Sequence, residues 1–369
     1  MTSALFSPLK LAYLDLPNRI VVSPMCQYSA DDGVASLWHT THLGMLANSG
    51  ASLVVVEATG VERSGRITHG CTGIYSDACE DAFARVIAHC KRIGTAKFGI
   101  QIGHAGRKAS SARPWEGGVG LKPGEDPWET IGPSAISCGA AWPAPRAMDE
   151  ANLERVREAF VDAAKRALRI GFDAIELHMA HGYLLHSFVS PISNKRNDAY
   201  GGSLEGRMKF PLEVLRAVRA VVPKSVPLGA RISAVDWADG GLTADDSVIW
   251  VAEMKKAGLD FVCISSGGIT ADARTPTTPG YNVPAAEQIR RETGIATRAV
   301  GLIATPKQAE AIVSEGKADM IALARAMLED PHWGWKAAKE LGADLARPNQ
   351  YLRAAPKMWP GASYRDGAA

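Results

Sequence analysis

Arg19-Ile20-Val21-Val22-Ser23-Pro24-Met25-Cys26 is a short β-branched run that ends without a glycine-rich turn. An open, doubly wound sheet normally carries its phosphate-binding glycines immediately after the first strand. The one G-x-G in the chain, Gly118-Val119-Gly120, lies in a loop segment and lacks the third glycine. The first strand therefore turns the reading away from a dinucleotide fold. Seven similar runs follow, near residues 53–58, 98–102, 174–178, 227–232, 261–265, 296–301 and 320–324. Near-continuous apolar runs mark parallel strands buried on both faces. Helical patterns lie between them. Residues 150–170 place Leu153, Val156, Phe160, Ala164 and Ala167 on one stripe, with Asp149 as a start signal and Gly171 as a stop. Residues 208–222, 245–257, 284–293 and 306–315 behave alike, and 40–49 and 80–93 are weaker cases. Eight β–α units predict an α/β fold, a closed (β/α)8 TIM barrel. The expected organisation is a single barrel domain over residues 1–369. A long loop at 104–148 after strand three forms a lid or substrate wall, and an irregular, non-helical tail follows from 343.

Composition narrows the function. The 369 residues carry 41 Lys+Arg against 39 Asp+Glu, a net charge of +2. Nucleic acid and anionic lipid both demand a basic footprint, so neither is the expected partner. No apolar run approaches the roughly 18 residues that cross a bilayer. The N-terminus lacks a charged, apolar leader pattern. Six cysteines without a Cys-x-x-Cys pair fit a reduced, cytoplasmic protein.

In a barrel, chemistry collects at the C-terminal ends of the strands. There the sequence places Cys26 and Tyr28, Glu57 and Thr59, Gln101 and His104, His178, His181 and Tyr183, Arg231 and Ser233, Ser265, Gly301 and Arg325. His178-x-x-His181-Gly182-Tyr183 is the sharpest cluster. Two imidazoles donate N–H bonds to one substrate oxygen, and a phenol delivers a proton. A metal site of Glu176, His178 and His181 is the rival, though it lacks an evident further ligand. A pair of packed histidines is the structural alternative. Arg231 lies inside an apolar strand and demands a partner. That partner is either Glu57 or Glu176, or an electron-rich cofactor ring. Gln101 suits a pyrimidine-like edge or the core. Gly301 and Arg325 occupy the usual barrel phosphate position, or are a turn glycine and a surface arginine.

These residues resemble the old yellow enzyme family of FMN-dependent ene-reductases, in its thermophilic-like subgroup. The likeness is carried by Asn18-Arg19-Ile20, Pro24-Met25-Cys26-Gln27-Tyr28, Gln101 through Arg107, Glu176 through Leu184, and above all Ser193 through Ser203, closing at Arg207. The resemblance implies noncovalent FMN held by Pro24, Met25, Cys26, Ala58, Gln101, Arg231, Val300, Gly301, Leu302, Ala324 and Arg325. It implies that Arg231 faces the N1/C2 side of the flavin, Gln101 the pyrimidine edge and Arg325 the phosphate. It gives His178 and His181 the substrate's carbonyl or nitro oxygen and Tyr183 the proton. Cys26 tunes the flavin, and Tyr28 clamps the substrate. NADPH or NADH is the implied reductant, an enone or nitro compound the acceptor, and no metal is required. Nitro reduction, amine oxidation and demethylation remain alternative chemistries. The likeness extends to a homo-oligomer, dimer or tetramer. In it Arg353, within Gln350-Tyr351-Leu352-Arg353, reaches a neighbouring active site, with Trp359 as the other candidate to line a pocket. Ala324 departs from the Gly-Arg common among relatives and is expected to crowd the phosphate contact.

Overall fold

In the computed structural model, which describes residues 3–355 and 357–362, all eight apolar runs are barrel strands. They are β1 Ile20–Val22, β2 Leu53–Gly60, β3 Lys97–Gly103, β4 Ala174–Met179, β5 Leu228–Ser233, β6 Phe261–Ser265, β7 Ala296–Ala299 and β8 Met320–Leu323. Each pairs in parallel with its sequence neighbour. Ile321 opposite Ile20 closes the ring between β8 and β1. The expected (β/α)8 barrel is the fold.

Alternation along each strand decides what goes in and what goes out. Val54 and Val56, Ile100 and Ile102, Leu177 and Met179, and Ile232 face the helical coat. Val21, Leu53, Val55, Phe261, Cys263 and Met320 fill the lower lumen, joined by Leu11 and Leu16. Those two leucines come from a small antiparallel hairpin, Leu9–Leu11 with Leu14–Leu16, which stoppers the N-terminal end of the barrel. Above this apolar plug the same parity brings in polar groups. Gln101 Nε2 donates to Glu176 Oε1 at 2.8 Å, and the other oxygen of Glu176 pairs with Arg298, which is fully buried.

The coat is α1 Leu37–Leu46, α2 Asp77–Ile93, α3 Glu150–Ile170, α4 Leu204–Val221, α5 Ala244–Lys256, α6 Val283–Thr293, α7 Pro306–Ser314 and α8 Trp333–Glu340. Helix α3 starts where Asp149 Oδ1 accepts from the Asn152 N–H at 2.8 Å, and stops at Gly171 with φ 89°. Its expected stripe is buried along its whole length. Helix α4 begins four residues before the expected 208, because Ser203 caps it by accepting from the Gly206 N–H. Short helices at Leu184–Val189 and Arg325–Glu329 follow β4 and β8.

The loop at 104–148 carries two 3-10 turns, Gly106–Lys108 and Pro114–Glu116, and a parallel pair, Ile131–Gly132 with Arg146–Ala147. The tail is not wholly irregular. Asn349–Ala354 form a 3-10 turn, with Tyr351 and Arg347 packed on the Trp335 ring at 5.7 and 4.6 Å. No helix among the described residues is long and apolar enough to cross a membrane.

Candidate active site

Strand β4 delivers His178 at its upper end. His181 and Gly182 then take left-handed backbone angles, φ 59° and 75°, and reverse the chain. The reversal needs glycine, since a Cβ at residue 182 would lie 2.2 Å from the Gly268 carbonyl oxygen. It brings three rings together. His178 is 5.1 Å from His181 and 4.7 Å from Tyr183 between centroids, with His181 6.4 Å from Tyr183. The Ala180 N–H donates to His178 Nδ1 at 3.2 Å, which leaves the proton on Nε2. His181 Nε2 is 2.8 Å from Ser265 Oγ. Removal from bulk water, then the charge of Arg231, holds both imidazoles well below their ordinary pKa, so both are neutral near pH 7. Burial holds the Tyr183 phenol well above its ordinary pKa, so it keeps its proton.

Lys108, His186 and Asp236 brace this turn, and no motif in the sequence singles them out. Lys108 Nζ donates to the carbonyl oxygens of His181 at 2.9 Å and Gly268 at 3.0 Å, and sits 5.6 Å over the Tyr183 ring. The Gly182 N–H donates to His186 Nδ1 at 2.8 Å, and His186 Nε2 lies 3.0 Å from Asp236 Oδ1. Asp236 Oδ2 accepts from Ser190 Oγ at 2.7 Å and from the Leu242 N–H at 2.8 Å. Both members of the His186–Asp236 pair are completely buried. An amide accepts at one end only, so Asp236→Asn forfeits at least one of these donors. The expected loss of unfolding free energy is about 1–3 kcal/mol, read from the urea midpoint at constant m. An unchanged midpoint would remove the pair from the supports of the turn.

Arg231 rises from β5 into the same space. Its guanidinium donates to Ser23 Oγ at 2.8 Å and approaches Ser265 Oγ at 3.5 Å, and its buried Nε has no partner. Neither candidate carboxylate neutralises it. Glu57 faces His39 Nε2 at 3.2 Å and accepts the Gln27 N–H at 3.0 Å. Glu176 belongs to Arg298. The same pairing takes Glu176 from the metal reading, and no group of three metal-ligating side chains occurs among the described residues.

A cavity of about 430 Å³ is lined by Arg231, Val300, Gly301, Leu302, Ala324 and Arg325. Two guanidiniums in its lining, one with an orphaned donor, fit a flat anionic ring system joined to a phosphate. Residues 301 and 302 shape its wall with φ 124° and 49°. Ala324, half-buried, precedes the short Arg325–Glu329 helix with φ −112° and ψ −91°. Ala58 lines a small cleft with His178 and Tyr183. Pro24, Met25 and Cys26 follow β1, all half-buried. The neighbouring Cys71 thiol, then burial, raises Cys26 well above its ordinary pKa, while Cys26 in turn lowers Cys71. Cys26 is thus an un-ionised thiol. Tyr28 follows with φ 54° and a phenol raised by burial. Gln101 spends its amide nitrogen on Glu176. Arg353 and Trp359 lie in the exposed tail and do not line this cavity. A larger hollow of about 690 Å³ lies on the outer wall between α4 and α5, away from these groups.

Residues 4–344 match the family described as NADH:flavin oxidoreductase / NADH oxidase. An NADPH dehydrogenase of Geobacillus thermodenitrificans (strain NG80-2) is 45% identical over 355 residues, covering 96% of this chain and 99% of the relative. An NADPH dehydrogenase of Listeria monocytogenes serovar 1/2a is 40% identical over 354 residues, covering 95% and 99%. Among solved structures, morphinone reductase superposes with a TM-score of 0.77 at 26% identity, covering 95% of this chain and 92% of its own. A morphinone reductase has also been solved in complex with tetrahydroNAD. The chain belongs to the NADH:flavin oxidoreductase / NADH oxidase family, that of the old yellow enzymes, and is an FMN-dependent oxidoreductase with a nicotinamide reductant.

Proposed function

We propose that this protein reduces the activated C=C bond of α,β-unsaturated carbonyl or nitro compounds. The observation that carries the reading is a pair of neutral imidazoles packed against a protonated phenol, beside a guanidinium with no carboxylate partner. Pro24, Met25, Cys26, Ala58, Gln101, Arg231, Val300, Gly301, Leu302, Ala324 and Arg325 are the residues to hold FMN. Bound FMN supplies the redox chemistry, taking a hydride from NAD(P)H and giving one to the substrate's β-carbon.

The protein's own part is position and charge. To grip the acceptor's carbonyl or nitro oxygen, His178 Nε2–H turns from His181 Nδ1, 3.4 Å away, and the His181 ring gives up Ser265 Oγ. Because both rings are neutral, they stabilise charge that develops on that oxygen through hydrogen bonds. Tyr183 O–H then protonates the α-carbon. Its raised pKa keeps the proton available across the neutral range. Arg231 favours negative charge on the cofactor side. Tyr28 clamps the acceptor, and the un-ionised Cys26 thiol tunes the cofactor's potential. In the same reading the chain is a cytoplasmic homo-oligomer, dimer or tetramer, with Arg353 reaching a neighbour's site.

The test is NADPH consumption without oxygen in the presence of cyclohex-2-enone. One cyclohexanone is expected per NADPH. A yellow protein whose flavin is bleached by NADPH, yet transfers nothing to enones or nitroalkenes, would overturn the reading.

A further inference from the structure

The lid loop holds an aromatic ring in a position no function above has used. Residues 113–118 form a braced tip. The Arg113 N–H donates to Glu116 Oε2 at 3.1 Å, and its guanidinium to Oε1 at 2.9 Å. The base closes where the Ala112 N–H donates to the Val119 carbonyl at 2.8 Å and the Gly118 N–H to the Arg113 carbonyl at 3.1 Å. Arg113 Nε donates to the Tyr28 carbonyl at 3.1 Å and pins the tip to the segment that follows β1. Trp115, on this tip, meets the Tyr28 ring edge-on at 5.6 Å and 87°. It is nevertheless 68% exposed.

An indole on a fixed turn, with most of its surface uncovered, is an apolar contact awaiting an occupant. The path of the chain says where that occupant comes from. Lys108 sits over Tyr183, Arg113 reaches Tyr28 five residues later, and Trp115 follows. One segment thus runs from the phenol, along the rim, to the indole.

We infer that Trp115, backed by Tyr28, selects substrates that carry a flat ring beyond the activated double bond. This rests on the ene-reductase reading and deepens it. The smallest acceptors are gripped within the histidine–tyrosine cluster and leave the indole bare. A substituent directed outward along the rim lies against it and exchanges water for aromatic contact.

Maleimide and N-phenylmaleimide share one reacting bond and differ by one ring. Trp115→Ala is expected to raise KM for N-phenylmaleimide about tenfold, with kcat and the maleimide constants within about twofold of the parent. Trp115→Phe restores most of the loss, since a ring returns to the same tip. An unchanged KM for N-phenylmaleimide overturns the inference. So does an equal loss on both substrates, which would make the indole merely structural. If the parent protein reduces neither maleimide while NADPH still bleaches its flavin, the ene-reductase reading itself fails and takes this inference with it.

Discussion

Replacing Tyr183 by phenylalanine is expected to slow enone reduction roughly 100- to 10,000-fold. Flavin reduction by NADPH should stay within about twofold of the parent. The asymmetry follows from what the substitution removes. The ring keeps its packing on His178 at 4.7 Å and beneath Lys108 at 5.6 Å. Only the hydroxyl proton is lost, and only the step that protonates carbon uses it. Stopped-flow absorbance separates the two halves, with NADPH in one experiment and cyclohexenone added to the reduced protein in the other. Equal slowing in both would contradict the proton-donor role.

Arg298→Met should be the most damaging substitution for stability. Arg298 and Glu176 are buried inside the barrel at 0% and 1% exposure. Removing the guanidinium strands a carboxylate whose remaining side-chain partner is the Gln101 amide. Breaking such a pair from one side costs about 3–5 kcal/mol. The double substitution Arg298→Met with Glu176→Gln should recover much of that, because no stranded carboxylate is then left at residue 176. Urea denaturation of the three proteins checks both statements. A single variant within about 1 kcal/mol of the parent would show that water or rearrangement relieves the carboxylate.

The eight barrel strands are legible in the sequence because both their faces are buried, which leaves near-continuous apolar runs. Elements that do not declare themselves are short. Leu9–Leu11 and Leu14–Leu16 are three residues each, too brief for alternation to register. Leu184–Val189 is buried on every side, His186 and Ser187 included, so it lacks an amphipathic stripe. The His178, His181 and Tyr183 cluster is legible because its spacing is local. Lys108, His186 and Asp236 are not, since their partners are a carbonyl across the barrel and a carboxylate far along the chain. Parity was the available signal for the lumen: Glu176 and His178 share one face of β4, and Arg231 and Ser233 share one of β5. The same parity ties Gln101 to Glu176, a partner that neither of its readings from sequence contained.

The leucine hairpin beneath the lumen leaves the barrel with a single door. Under the proposed chemistry, electron donor and electron acceptor must use that doorway by turns. Each, when abundant, obstructs the other, and the enzyme's throughput depends on the ratio of the two visitors as much as on the amount of either.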